Sequence, residues 1–185
     1  MKRLSHFEHR ALAAGLTALL LLILSSGANA LSNSADAFMS LPFGHSFKRT
    51  QLRMERSGAK VVTPRQESLS MNGYFEGYTA VFNFGFHKKK GLKTKSVSLQ
   101  SSGDAKQDRA LYEALMQGYN RQFGSGRETP VPNTWASGKI MMRNIWTPDR
   151  YTTITLTYDP EATQRIAASP KNRPIHLVYK YSKWD

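Results

Sequence analysis

Tyr78-Thr79-Ala80-Val81-Phe82-Asn83-Phe84-Gly85-Phe86 is the stretch on which the fold turns. Tyr78, Ala80, Phe82, Phe84 and Phe86 alternate with Thr79, Val81, Asn83 and Gly85. A period of two puts one apolar face against a core and the other outward, which is a strand covered on one side. Lys88-Lys89-Lys90-Gly91 reads as a basic turn. Leu92 to Gln100 returns as a second strand with Val97 and Leu99 inward, so the pair is a hairpin.

Upstream, Ser68 to Phe75 reads as a further strand, with Gly73 and Gly77 near a bend or bulge. Ala59 to Thr63 is a short strand ended by Pro64. Before it, Ser46 is a good helix N-cap. Phe47, Thr50 and Met54 fall on one helical stripe, and Gly58 suits the residue after the helix. A first helix is therefore expected over Phe47 to Ser57. Residues 31–40 are small and polar and read as a flexible lead-in to a single domain over residues 41–185.

Downstream, Asp104 with Gln107 resembles a capping box. Leu111, Leu115, Tyr119 and Phe123 then recur every four residues, with Ala114 beside them, and Gly124 follows. The spacing predicts a core-facing helix over Ala105 to Phe123. Ser125 to Asn133, with Pro130 and Pro132, reads as a loop. Strands are expected over Trp135 to Trp146, Tyr151 to Tyr158 and Ile175 to Tyr181. The connection from Asp159 to Pro174 is polar, with a helical turn at Glu161 to Ala167, and Lys183-Trp184-Asp185 should fray. This order predicts an α+β fold: a two-layer sandwich of a mainly antiparallel sheet with two helices on one face, arranged as an αβββ pseudo-repeat.

The N-terminus speaks to location. Lys2, Arg3 and Arg10 precede an uncharged run from Ala11 to Leu24, and Ala28-Asn29-Ala30 follows. A basic region, an apolar region and small residues at Ala28 and Ala30 are the order of a cleavable export signal over residues 1–30. The expected location is periplasmic or secreted. An uncleaved anchor over Ala11 to Ala30 is the competing reading, since about 20 residues can span a bilayer.

The chain of 185 residues has a formal net charge of +13 and stays strongly basic without residues 1–30. Such an excess favours encounter with anionic partners, and it also serves solubility. The absence of cysteine excludes thiolate zinc sites, thiol catalysis and disulfide staples. Beyond residue 30 the histidines are His45, His87 and His176, with no metal-ligand spacing, so neither a metal site nor a cofactor is expected.

Catalytic patterns are weak. The carboxylates sit mostly at caps and turns, and only Glu67 and Glu76 lie within the β region. Gly124-Ser125-Gly126 lacks the nucleophile-elbow pattern and follows a helix, not a strand. Lys88, Lys89, Lys90, Lys93 and Lys95 cluster on the hairpin and are the candidate anion-binding residues. A solvated hairpin end guarded by lysines is the plainer account of them. Trp135, just after a proline-rich loop, is the candidate anchor for a partner. No specific nucleic-acid motif is present.

The layout from Leu41 onward resembles small bacterial envelope domains. Pro42-Phe43-Gly44-His45-Ser46 enters a helix, Phe123-Gly124 ends the next, and Trp135 precedes strands of the kind at Thr153 to Tyr158 and Ile175 to Tyr181. The arrangement is similar to β-lactamase-inhibitor-protein-like folds. The entry segment also resembles the small lipoprotein family of the outer-membrane assembly machine, although this chain lacks that family's lipidated cysteine. The resemblance implies a non-catalytic envelope protein that binds another macromolecule, and it supplies no functional residues. The expected function is thus a binding or accessory module engaging an envelope protein, an anionic polymer or a lipid surface, with peripheral membrane contact at most. The alternatives are an envelope hydrolase acting on glycan or peptide, and a membrane-anchored subunit.

Overall fold

The computed structural model describes residues 34–65, 67–132, 140–162 and 173–184. The signal or anchor over residues 1–30, with Ala28 and Ala30, lies outside the described residues. So do Trp135 and most of the connection read as carrying a helical turn.

Three helices and eight strands follow one another. They are α1 (residues 34–39), α2 (Phe47–Arg56), β1 (Lys60–Arg65), β2 (Ser68–Phe75), β3 (Tyr78–His87), β4 (Gly91–Leu99), α3 (Ala105–Phe123), β5 (Arg127–Pro132), β6 (Ile140–Trp146), β7 (Thr152–Tyr158) and β8 (Ile175–Tyr181). A short 3-10 turn, Ser182–Trp184, ends the described chain. The strands form one antiparallel sheet in the order β1-β2-β3-β4-β8-β7-β6-β5. Two four-stranded meanders therefore meet at their last strands, where Val97 faces Leu177. The helices all lie on one face, the α+β two-layer arrangement that the element order predicts.

The hairpin reading holds in detail. Ala80, Phe82 and Phe84 are buried, and β3 pairs with β4 through Phe82 and Val97. Gly85 faces Thr94 while Phe86 faces Leu92, so Lys93 is the extra residue of a bulge. Ile154, Leu156 and Tyr158 on β7, and Ile175, Leu177 and Tyr179 on β8, complete the apolar face.

Four features correct the sequence reading. The lead-in is not loose from residue 34 onward. Ala35 and Leu41 are each 2 % exposed, and Phe38 is fully buried among Phe75, Phe82, Phe84 and Tyr179. Spacing of three along a helical turn aims these side chains at the sheet. Each half holds four strands and not the three of an αβββ repeat: β1 to β4 make the first, and the proline loop, as β5, is the fourth strand of the second. Both outer strands, β1 and β5, carry proline, which an edge tolerates because one side of its backbone has no ladder to complete. For the same reason β1 continues through Pro64 to Arg65 instead of stopping.

The third correction concerns α3. Asp104 caps it as expected, its Oδ1 accepting from the Lys106 N–H at 2.8 Å. The buried face, however, is Asp108, Tyr112 and Tyr119, while Leu111 and Leu115 are half-buried and Ala114 is exposed. Polar partners rotate the helix. Tyr112 stacks on Tyr158 and its hydroxyl accepts from the buried Asn144 amide at 2.6 Å. Asp108 accepts from the Ser101 hydroxyl and the Ser102 N–H, pinning the loop before the helix. Fourth, the expected fraying at Lys183 and Trp184 is replaced by the 3-10 turn, with Trp184 edge-on to Tyr181 at 4.8 Å.

Candidate anion-binding surface

The strand sequences set the charge of the sheet. Glu128 on β5 is the one carboxylate within the eight strands, and its register partner is Asn144, whose side chain is buried on the helix side. The opposite face carries Ser70, Asn83, Ser96, Thr155 and their neighbours, with Lys60, Arg65, Arg143 and Lys180 among them. Among the described residues, that face has no carboxylate and no helix packs on it.

The hairpin turn lies at one end of this face. Lys88, Lys89 and Lys90 are exposed, and Lys93 is half-buried in the bulge. Lys88 Nζ lies 3.4 Å from Glu67 Oε1, but both side chains are more than half exposed, so the pair contributes little. His87 shapes the turn: its Nδ1 accepts from the backbone N–H groups of Lys89 and Lys90, each at 3.2 Å. That leaves the ring proton on Nε2. Gly91, with φ +85°, lets the turn close against the loop before α2. There the Gly44 N–H donates to Leu92 O and the Leu92 N–H donates to His45 O. The two segments enclose a cavity of about 430 Å³ whose lining includes Lys88, Lys89 and Lys90, the carboxylate of Glu67, and the rings of Phe47 and Phe86.

Lys95 does not belong to this group. It is 3 % exposed and lies on the helix side. Its Nζ donates to the carbonyls of Phe38 (2.9 Å), Met39 (2.8 Å) and Leu41 (2.9 Å) at the end of α1. A cation suits the C-terminal carbonyls of a helix, which have no partner within it. The rings of Phe38 and Tyr179 flank the ammonium at 5.3 and 4.7 Å. Burial pushes its pKa down to about 8, with Arg53 adding to the shift. Next to it, the hydroxyls of Tyr119 and Tyr179 hydrogen-bond to each other, and both reach Met39 Sδ. Lys95 is a fastener between α1 and the sheet, unable to meet a ligand from solvent.

The same end of the sheet holds residues that spacing along the chain does not bring together. Thr152 pairs with Tyr181, which brings Tyr151 beside the chain's last turn. Phe43 stacks on Tyr181 at 5.1 Å, and Trp184 lies 6.4 Å from His87. Arg150 and Lys183 both sit over the Tyr151 ring, at 4.5 and 5.3 Å. The interleaving of basic and aromatic residues in Arg150-Tyr151 and Lys180 to Trp184 was a visible signal. Strand pairing was needed to join it to the lysine turn.

The catalytic candidates are dispersed. Glu67 precedes β2 and Glu76 follows it, so an eight-residue strand holds them about 26 Å apart. Glu76, at φ +49°, forms with Gly77 the tight turn into β3. His45 lies in the α1–α2 loop and His87 at the lysine turn. His176 is on the open face, where its Nδ1 is 2.9 Å from Ser98 Oγ. Desolvation lowers the His176 pKa, which favours the neutral ring. No group of three or more His, Asp or Glu among the described residues could hold a metal ion. No helix among them is long and apolar enough to cross a membrane. Compared with known proteins, the chain matches no family model, no curated protein and no solved structure.

Proposed function

We propose that this chain is an exported, non-catalytic binding module that holds an anionic partner of the cell envelope on the open face of its sheet and on the adjoining lysine turn. One observation carries the reading: the face on which no described helix packs has basic side chains and no carboxylate among the described residues. A surface of one sign concentrates and orients partners of the other sign. The supporting features are the exposed Lys88 to Lys90, the basic composition and the export-like N-terminus.

The direct test is binding of a fluorescent soluble polyphosphate across a salt series. Affinity should fall linearly with salt on logarithmic axes, because each phosphate contact releases counterions. The substitutions Lys88→Gln, Lys89→Gln and Lys90→Gln together should flatten that slope. Failure to bind at low salt would sink the reading.

A hydrolase has one observation in its favour, the Ser98–His176 hydrogen bond. These residues face each other across β4 and β8, both interior strands of the sheet. Backbone N–H groups there are consumed by the ladders and leave no donor pair for a developing oxyanion. A fluorophosphonate probe that labelled Ser98 would favour the hydrolase over the binding module.

A further inference from the structure

We infer that the basic and aromatic end of the sheet is a docking surface for the anionic phospholipid headgroups of a bilayer, approached end-on. The inference rests on the anion-binding reading and names the partner of one part of that surface.

Three observations at this end act together. The turn lysines project from the rim of the cavity beside α2, over a wall made of the Phe47 and Phe86 rings, 5.2 Å apart. With Glu67 also in the lining, the three lysines still leave a net positive rim over an aromatic wall, which suits a phosphate with carbon attached. Next to it, Trp184 bridges from Gly44 and His87 to Tyr181, so the cavity and the aromatic cluster form one surface. Third, Arg150 and Lys183 flank Tyr151. Tyrosine and tryptophan place an apolar ring and a polar tip at the level of lipid headgroups, while lysine and arginine reach the phosphates. A soluble polyanion would need only the cations.

The remote end fixes the orientation. Glu76 in the β2–β3 turn, Asp104 at the α3 cap and Asp159 after β7 all lie at the far end of the strands from the lysine turn. The near end carries Lys88, Lys89, Lys90, Arg150 and Lys183 against Glu67 and Asp149, whereas at the far end Lys60, Lys106 and Arg173 offset those three acids, so an anionic bilayer is drawn to the near end. Among the described residues, the exposed aromatic residue of the open face, Tyr74, belongs to the far end, so a flat approach would gain fewer rings than an end-on one.

The test uses sedimentation with vesicles of phosphatidylcholine alone or mixed with phosphatidylglycerol, in parallel with soluble polyphosphate. Binding to the mixed vesicles and not to phosphatidylcholine is expected. Replacing Lys88, Lys89 and Lys90 by Gln should weaken it about a hundredfold, given the contribution of each basic residue near an anionic surface. Tryptophan emission should shift on vesicle binding, and Trp184→Phe should weaken binding a few-fold and, at saturating vesicles, remove most of that shift. Binding to polyphosphate without binding to mixed vesicles would overturn the lipid inference and leave the anion-binding module standing. Binding to neither would remove both. A shift that persists in Trp184→Phe would overturn the end-on approach.

Discussion

The stem and the tip of the β3–β4 hairpin use the same residue type for opposite purposes. At the tip, Lys88, Lys89 and Lys90 are exposed and their backbone is organised by His87. In the stem, Lys95 is enclosed, with three carbonyl acceptors and two aromatic rings around its ammonium. Position in the strand decides between these roles. Alternation that puts Val97 and Leu99 inward puts Lys95 inward too. Once inside, its charge requires partners, and the end of α1 provides them. The stem therefore contributes to stability, and the tip is left available for binding.

Four measurements test that contrast. Lys95→Ala should cost the most, about 4 kcal/mol in denaturant unfolding, because it leaves buried carbonyls without a donor and opens a void. A loss below about 1 kcal/mol would put Lys95 with the tip. Gly91→Ala should cost about 3 kcal/mol. Its Cβ would stand 2.4 Å from the Gly44 carbonyl oxygen, at a φ of +85° that side chains rarely adopt. That outcome would show the tip is held by its backbone, not by its charges.

The pH dependence of stability has a definite sign. Below pH 8 both the folded and the unfolded chain carry the Lys95 proton. Between about 8 and its ordinary value of 10.5 the unfolded chain binds that proton more tightly, so stability should rise with pH. The rise should reach about 2 kcal/mol between pH 8 and 10 and vanish in Lys95→Met. Above pH 10 the trend should reverse. Burial pushes Tyr179 up to about 12 and Tyr119 higher, so the folded state keeps protons that the unfolded chain releases. Stability measured from pH 7 to 11 checks both limbs. The smallest effect belongs to the tip: Lys88→Gln, Lys89→Gln and Lys90→Gln together should change unfolding by less than about 0.5 kcal/mol. A larger loss would mean that the tip charges help hold the fold.

Much of the sheet was legible because its alternation is strong. The rings of β3 and the inward residues of β7 and β8 lie where a period of two places them. The misreadings share a cause, which is that residue type was given more weight than position. Charge groups Lys95 with its neighbours, although Val97 and Leu99 already define its side. Pro130 and Pro132 suggested a loop, yet an edge strand accommodates them. On α3 the apolar stripe of Leu111 and Leu115 looked like the core face, but Tyr112 and Asp108 carry partners that the sequence could not assign. Ala35, Phe38 and Leu41 have helical spacing, but the window is too short to stand out against polar neighbours. The basic and aromatic end needed long-range pairing, since Tyr151 and Tyr181 meet only through β7 and β8.

The prolines of β1 and β5 bear on self-association. A sheet of this breadth ends in two strands whose outer sides could template a ninth strand from a second copy and begin a fibril. Pro64 interrupts one edge, and Pro130 and Pro132 the other, each removing a backbone donor that such growth would use. The bulge between Val61 and Thr63 further disrupts the first edge. Without disulfides to close its edges, the chain protects them with imino acids.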